Sequence, residues 1–150
     1  MRVYLDNCCY NRPYDDQSQL LVSLEAHSKL FIQSLIREGK IELATSFVLT
    51  YENENNPHEE RRNTISEFIA EYSTIYVSRK NKEKIEIDAK EIMATGVKLA
   101  DASHVAAAIM SNCDWFLTTD KRLLKYKTDK ITITDPLSFL RIIGDEYNDK

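Results

Sequence analysis

Glycine and proline are scarce in this chain, at three residues each in 150. Sheets of many short antiparallel strands use such residues at their turns, so a loop-rich β-sandwich is disfavoured and helices joined by short connections are favoured. Long apolar runs are missing as well. None approaches the ~18 residues that span a bilayer, and the N-terminus has no basic stretch leading into a long apolar one, the mark of a secretory signal. The expectation is a cytoplasmic protein that does not enter a membrane. Cysteine is limited to Cys8, Cys9 and Cys113, an odd number with two adjacent. A cytosolic setting disfavours disulfides, and no C-x-x-C pair with a nearby histidine supplies zinc ligands. The three read as reduced, structural thiols.

Excess positive charge is also lacking. Lys and Arg number 20 against 24 Asp and Glu, for a net charge of −4. Nucleic-acid binders are more often basic, so such a role requires the acids to be neutralised by cations and the basic residues to gather in patches. Arg61–Arg62, Arg79–Lys84, and Lys121, Arg122, Lys125 and Lys127 are the places where they gather. Solvated surface charge is the better single explanation for each of them.

What is present is an ordinary globular composition, 43% apolar and 29% charged, which with the length predicts a single domain over residues 1–150. Short apolar runs alternate with amphipathic stretches. Strands are expected at 2–6, 40–46, 74–78, 115–119 and 130–134. Between them, Leu20, Leu21, Leu24, Leu30, Phe31, Leu35 and Ile36 recur at helical spacing up to Gly39, a fitting C-cap. Ser46 can cap a helix from Phe47 to about Asn55, and further helices are expected over 58–72, 81–94 and 99–112. A short helix over 121–125 and a last one beginning at Pro136 complete the set. Continuously apolar strands alternating with helices describe a parallel sheet covered on both faces.

Ligands of open parallel sheets bind beyond the carboxyl ends of the strands, where strand order reverses. Asp6 ends the first strand and Asp120 the fourth. Asp101 opens the Ala-rich helix before that fourth strand, and Glu52 lies six residues after Ser46. Each acid also has a plainer reading: Asp101 and Asp120 as helix caps, Glu52 as an exposed acid in "YENENN", Asp6 as a turn residue. Four carboxylates at compatible positions nevertheless suit Mg²⁺ or Mn²⁺, hard cations that prefer oxygen ligands. One or two such ions can promote phosphodiester hydrolysis without a side-chain nucleophile. His27, His58 and His104 have no Ser or Cys arrangement that reads as a triad. His104, one turn after Asp101, reads as a core histidine or as a group that orients a carboxylate.

These residues resemble the PIN-domain ribonucleases. The strand ending in Asp6, the span from Ser46 to Glu52, "DASHVAAA" from Asp101 and "TTD" ending at Asp120 follow that family's order and spacing over nearly the whole chain. The resemblance implies a three-layer α/β/α sandwich with a five-stranded parallel sheet of order 3-2-1-4-5. It also implies Mg²⁺- or Mn²⁺-dependent cleavage of single-stranded RNA, with Asp6, Glu52, Asp101 and Asp120 as ligands. Asn7, Thr118 and His104 would orient these acids, and Arg12, Lys121 and Arg122 would meet RNA. Many single-domain relatives are VapC-type toxins, silenced by a cognate antitoxin and often dimeric. Two positions depart from the pattern: Asn7 stands where members often carry Ser or Thr, and Arg122 stands where some carry a further acid. An aspartyl-nucleophile phosphatase would need a second Asp at position 8, which is Cys8. The remaining rival is a PIN-like module that binds RNA or docks a protein without turnover.

Overall fold

Four residues, Arg2–Leu5, form the central strand β1, and their alternation divides the interior in two. Val3 and Leu5 are buried on one side of the sheet and Tyr4 on the other, as the two-residue period of a strand requires. The computed structural model describes residues 1–148. Strands β2 (Glu42–Ser46), β3 (Ser73–Val77), β4 (Trp115–Leu117) and β5 (Thr132–Thr134) join β1 in one parallel sheet of order β3-β2-β1-β4-β5. The helices are α1 (Asn7–Asn11), α2 (Leu20–Arg37), α3 (Phe47–Glu54), α4 (Glu59–Tyr72), α5 (Lys82–Met93), α6 (Leu99–Met110) and α7 (Pro136–Asn148). Cys9, Ile32, Ile65 and Phe139, from α1, α2, α4 and α7, pack with Val3 and Leu5. Ile85 and Ala89 of α5, with Ala102 and Ala106 of α6, pack with Tyr4 and Phe116 on the opposite face. The result is the PIN-like three-layer α/β/α sandwich, with the expected strand order. No helix among the described residues is long and apolar enough to cross a membrane.

Element ends follow local chemistry. Gly39, at φ 73°, takes the left-handed conformation that ends α2, and the Lys40 N–H returns to the Leu35 carbonyl at 3.0 Å. Ser46 caps α3 by accepting from the Leu49 N–H. Residues 7–14, where no helix is expected, form α1 and a single 3₁₀ turn, Arg12–Tyr14. The cause is Asp6, whose side chain caps α1 by accepting from the Asn7 N–H at 2.8 Å. The fourth strand stops at Leu117 rather than Thr119, and the helix expected over 121–125 is one 3₁₀ turn, Leu123–Lys125.

The helical spacing over α2 marks the helix but not its buried face. Leu20 and Phe31 are 76% and 57% exposed, and Leu21, Leu24 and Leu30 are exposed with them. The buried face carries Ile32, Leu35 and Ile36 together with Glu25, Lys29 and Gln33. The two charged groups on that face have partners within the fold. The Lys29 ammonium lies 5.4 Å from the centre of the Tyr10 ring, and burial pulls its pKa down to about 8. Glu25 Oε1 stands 3.5 Å from the Arg12 guanidinium. Apolar residues therefore occupy both faces of α2. Phe31→Ser should change stability by no more than about 0.5 kcal/mol, whereas Ile32→Ala should cost about 2–5 kcal/mol. Urea unfolding of the two variants checks the assignment, and a larger loss at Phe31 would put the core on the other face.

Candidate active site

Beyond the carboxyl ends of β1 and β4 the sheet opens into a cleft of about 390 Å³, and Asp6, Glu52, Asp101 and Asp120 all line it. Asn7, Cys8 and Arg12 line it too. The acids reach the cleft from four elements. Asp6 follows β1 and continues the ladder, its N–H donating to the Leu117 carbonyl at 2.9 Å. Asp120 follows β4, Glu52 projects from α3, and Asp101 stands in the first turn of α6.

Asp6 is 5% exposed and held on both oxygens. Its Oδ1 accepts from the Asn7 backbone, and its Oδ2 accepts from the Thr118 hydroxyl at 2.8 Å and the Cys8 thiol at 3.4 Å. Thr118 Oγ1 in turn accepts from the Asp120 N–H at 3.1 Å, so this one hydroxyl couples the acids of the two central strands. Asp120 Oδ1 accepts from the Arg122 N–H at 2.8 Å and the Leu123 N–H at 3.4 Å. Capping of the following turn thus occupies one oxygen of Asp120, and Oδ2 has no protein partner among the described residues. Asn7 contributes its backbone to Asp6, while its side chain is tied to Asn11 Nδ2 at 3.2 Å.

Glu52 is held by a buried chain of hydrogen bonds. His104 is 1% exposed, its Nε2 is 2.7 Å from Glu52 Oε1, and its Nδ1 is 2.7 Å from the Tyr4 hydroxyl. Tyr4 lies 2.7 Å from Ser46 Oγ, which caps α3. All donors are satisfied if each group donates in one direction: Leu49 N–H to Ser46, Ser46 to Tyr4, Tyr4 to Nδ1, and Nε2–H to Glu52. Burial pulls the His104 pKa down, but the Glu52 hydrogen bond and the charges of Asp6, Glu52 and Asp101 raise it overall. His104 is therefore a core histidine that orients a carboxylate, uniting its two sequence readings. Tyr4 was not singled out from sequence. It stands in an apolar strand, and only the pairing of β1 with β2 brings its hydroxyl to Ser46.

Cys8 is a second addition. Its sulfur contacts the Asp6 carboxylate and the Thr118 hydroxyl and accepts from the Thr119 N–H at 3.3 Å. The Cys9 thiol lowers its pKa, while burial pushes Cys9 well above the thiol range. All three cysteines are free. Arg12 lines the cleft, but its Nη1 is bound to Asp15 Oδ2 at 3.1 Å. Lys121 and Arg122 are exposed beside Asp120.

Asp101 is the electrostatic weak point. No protein hydrogen bond holds its carboxylate among the described residues. Burial, with the charges of Asp6, Asp120 and Glu52, raises its pKa from 3.8 to about 6. Hard oxygen donors crowded enough to resist ionisation are the donor set a divalent cation relieves. Among the described residues, however, no three His, Cys, Asp or Glu side chains are spaced to hold a metal ion. Asp6, Glu52 and Asp120 stand where protein donors fix them. The donor type suits a hard divalent cation, and the spacing of the side chains does not.

Two outcomes follow. The raised pKa means the folded state binds a proton between pH 3.8 and about 6 that the unfolded state has released. Stability is thus lost as pH rises through that window. In EDTA, Asp101→Asn should melt higher than the parent above pH 6, and the difference should vanish near pH 4. Equal melting curves at all pH values would remove the repulsion argument. Tyr4→Phe leaves the Ser46 hydroxyl proton and His104 Nδ1 without a buried partner, costing about 1–3 kcal/mol. Denaturant unfolding measures that loss, and a neutral substitution would break the proposed direction of donation.

No family model and no curated protein matches the chain. Among solved structures it is similar to a chain of VapBC2 from Rickettsia felis, a complex bound to a DNA fragment from its promoter. The identity is 13%, covering 90% of this chain and 98% of that one, with a TM-score of 0.56. Likeness at this level concerns architecture: the chain has a PIN-like fold.

Proposed function

We propose that this chain is a metal-dependent endoribonuclease that cleaves single-stranded RNA. The observation that carries the reading is the gathering of four carboxylates on one cleft at the switch point, where burial and the neighbouring acids push the Asp101 pKa up to about 6. Asp6, Asp101 and Asp120, with Glu52, would hold Mg²⁺ or Mn²⁺, which when bound neutralises these acids and polarises a phosphodiester. Thr118 keeps Asp6 and Asp120 in fixed relation. Glu52, with Oε1 occupied by His104, offers Oε2 to accept a proton from an attacking water.

The similarity to VapBC2 supports a toxin of a toxin–antitoxin pair, restrained by a cognate antitoxin. The exposed apolar residues of α2 offer a surface to such a partner or to a second copy in a homodimer. A cytoplasmic location accords with free cysteines. The spacing of the acids favours one second reading, a PIN-like module that binds RNA or a protein without turnover.

Purified protein on single-stranded RNA separates the two. Cleavage is expected with Mn²⁺ and none with EDTA. Asp6→Asn should reduce it by about two orders of magnitude or more, the effect of losing ~3 kcal/mol of transition-state stabilisation. Mn²⁺ should also raise the melting temperature of the parent more than that of Asp101→Asn. RNA left intact under every condition would leave the binding module standing.

A further inference from the structure

Next to the acid cluster lies a second cleft, of about 380 Å³, with the opposite charge. Lys98, Arg122, Lys125 and Lys127 line it, and its one acid is Asp101, which also lines the first cleft. The two clefts therefore meet at Asp101. In a chain whose net charge is −4, four cations on one concave surface are not average surface. None of the four makes an ion pair among the described residues, whereas Arg2, Arg12, Lys40, Lys82 and Lys84 each have a carboxylate partner.

The backbone adds positive potential. Lys98 is the N-cap of the 12-residue α6, and no side chain caps that end. A lysine there opposes the helix dipole, and the only acid in that first turn is Asp101, on the boundary with the other cleft. Gly96, at φ 105°, permits the reversal between α5 and α6 that brings Lys98 to the cleft. On the other wall, the turn carrying Arg122 is pinned by the bonds from the Arg122 and Leu123 N–H groups to Asp120 Oδ1. Both walls are thus tied to residues of the acid cluster.

We infer that this basic cleft is a phosphate subsite that holds the RNA backbone beside the acid cluster, with Lys98, Arg122, Lys125 and Lys127 as its contacts. The inference rests on the nuclease reading for its ligand but concerns binding, not cleavage. Lys121, though adjacent to Asp120, is outside it.

The test is the affinity of the full chain for a labelled single-stranded RNA in EDTA, followed against salt concentration. Lys98→Ala/Lys125→Ala/Lys127→Ala is compared with Lys40→Ala/Lys90→Ala/Lys130→Ala, a control of equal net charge whose lysines are exposed elsewhere. Melting curves should confirm that both remain folded. The cleft variant should bind about tenfold or more weakly at low salt, with a log–log salt slope shallower by about 2, at ~0.7 per lost phosphate contact. The control should keep the parental slope. Equal losses in the two variants, or no RNA binding by the parent, would overturn the subsite. So would a polyglutamate peptide that competes as well as RNA, by making the cleft a docking site for acidic protein. Selective loss of binding without cleavage in Mn²⁺ would keep the subsite and remove the nuclease; cleavage with equal losses would do the reverse.

Discussion

Carboxylates crowded at the edge of an apolar sheet repel one another, and much of this structure answers that repulsion. Each acid loses solvent by lying at the mouth of the core and gains neighbours of its own sign. Asp6 meets the cost with three donors on its two oxygens, one of them the hydroxyl of Thr118. Asp120 meets it with backbone N–H groups, and Glu52 with a buried imidazole. Asp101 has no such donor, and the strain surfaces there as a pKa raised to about 6. The arrangement is costly for stability alone, and that cost is what the proposed metal-binding role would account for.

The sheet makes this tolerable because it fixes the acids before any ligand arrives. Val3 pairs with both Leu43 and Trp115, so β1 is held on either side and Asp6 leaves it at a defined point. Thr118 lies one residue beyond β4 and turns its hydroxyl to Asp6 rather than to solvent. Small residues of α6 serve the same end from the other layer. Ala102 and Ala106 let α6 lie close on the sheet, which sets His104 within reach of both Tyr4 and Glu52.

Much of this was legible in the sequence because it rests on short-range pattern. Apolar runs marked five strands, and acids at strand ends marked the switch point. What was not legible depends on tertiary geometry. Periodicity could not choose between the faces of α2, since Leu20, Leu24 and Phe31 form one stripe and Ile32, Leu35 and Ile36 another. The buried stripe won despite carrying Glu25, Lys29 and Gln33, because Arg12 and Tyr10 supply partners that no local window contains. Tyr4 read as one more apolar strand residue, and its polar role needs His104, a hundred residues away. The helix at Asn7 was hidden because its 5 residues are too few to show a helical period, so Asp6 read as a ligand or a turn residue rather than as a helix cap.

Charge is therefore segregated rather than balanced on this surface. Acids collect beyond the ends of the two central strands, and cations without an ion pair among the described residues collect across Asp101 from them. A polyanion approaching the acid cluster alone would be repelled. In the proposed complex, the same polyanion lying across both clefts would gain attraction from one while a bound cation would relieve the other. Asp101 stands at that boundary, which gives a physical reason for leaving it without a protein donor. A carboxylate already bound within the protein would have little to offer an arriving cation, and one more hydrogen bond there would stabilise the empty site at the expense of the filled one.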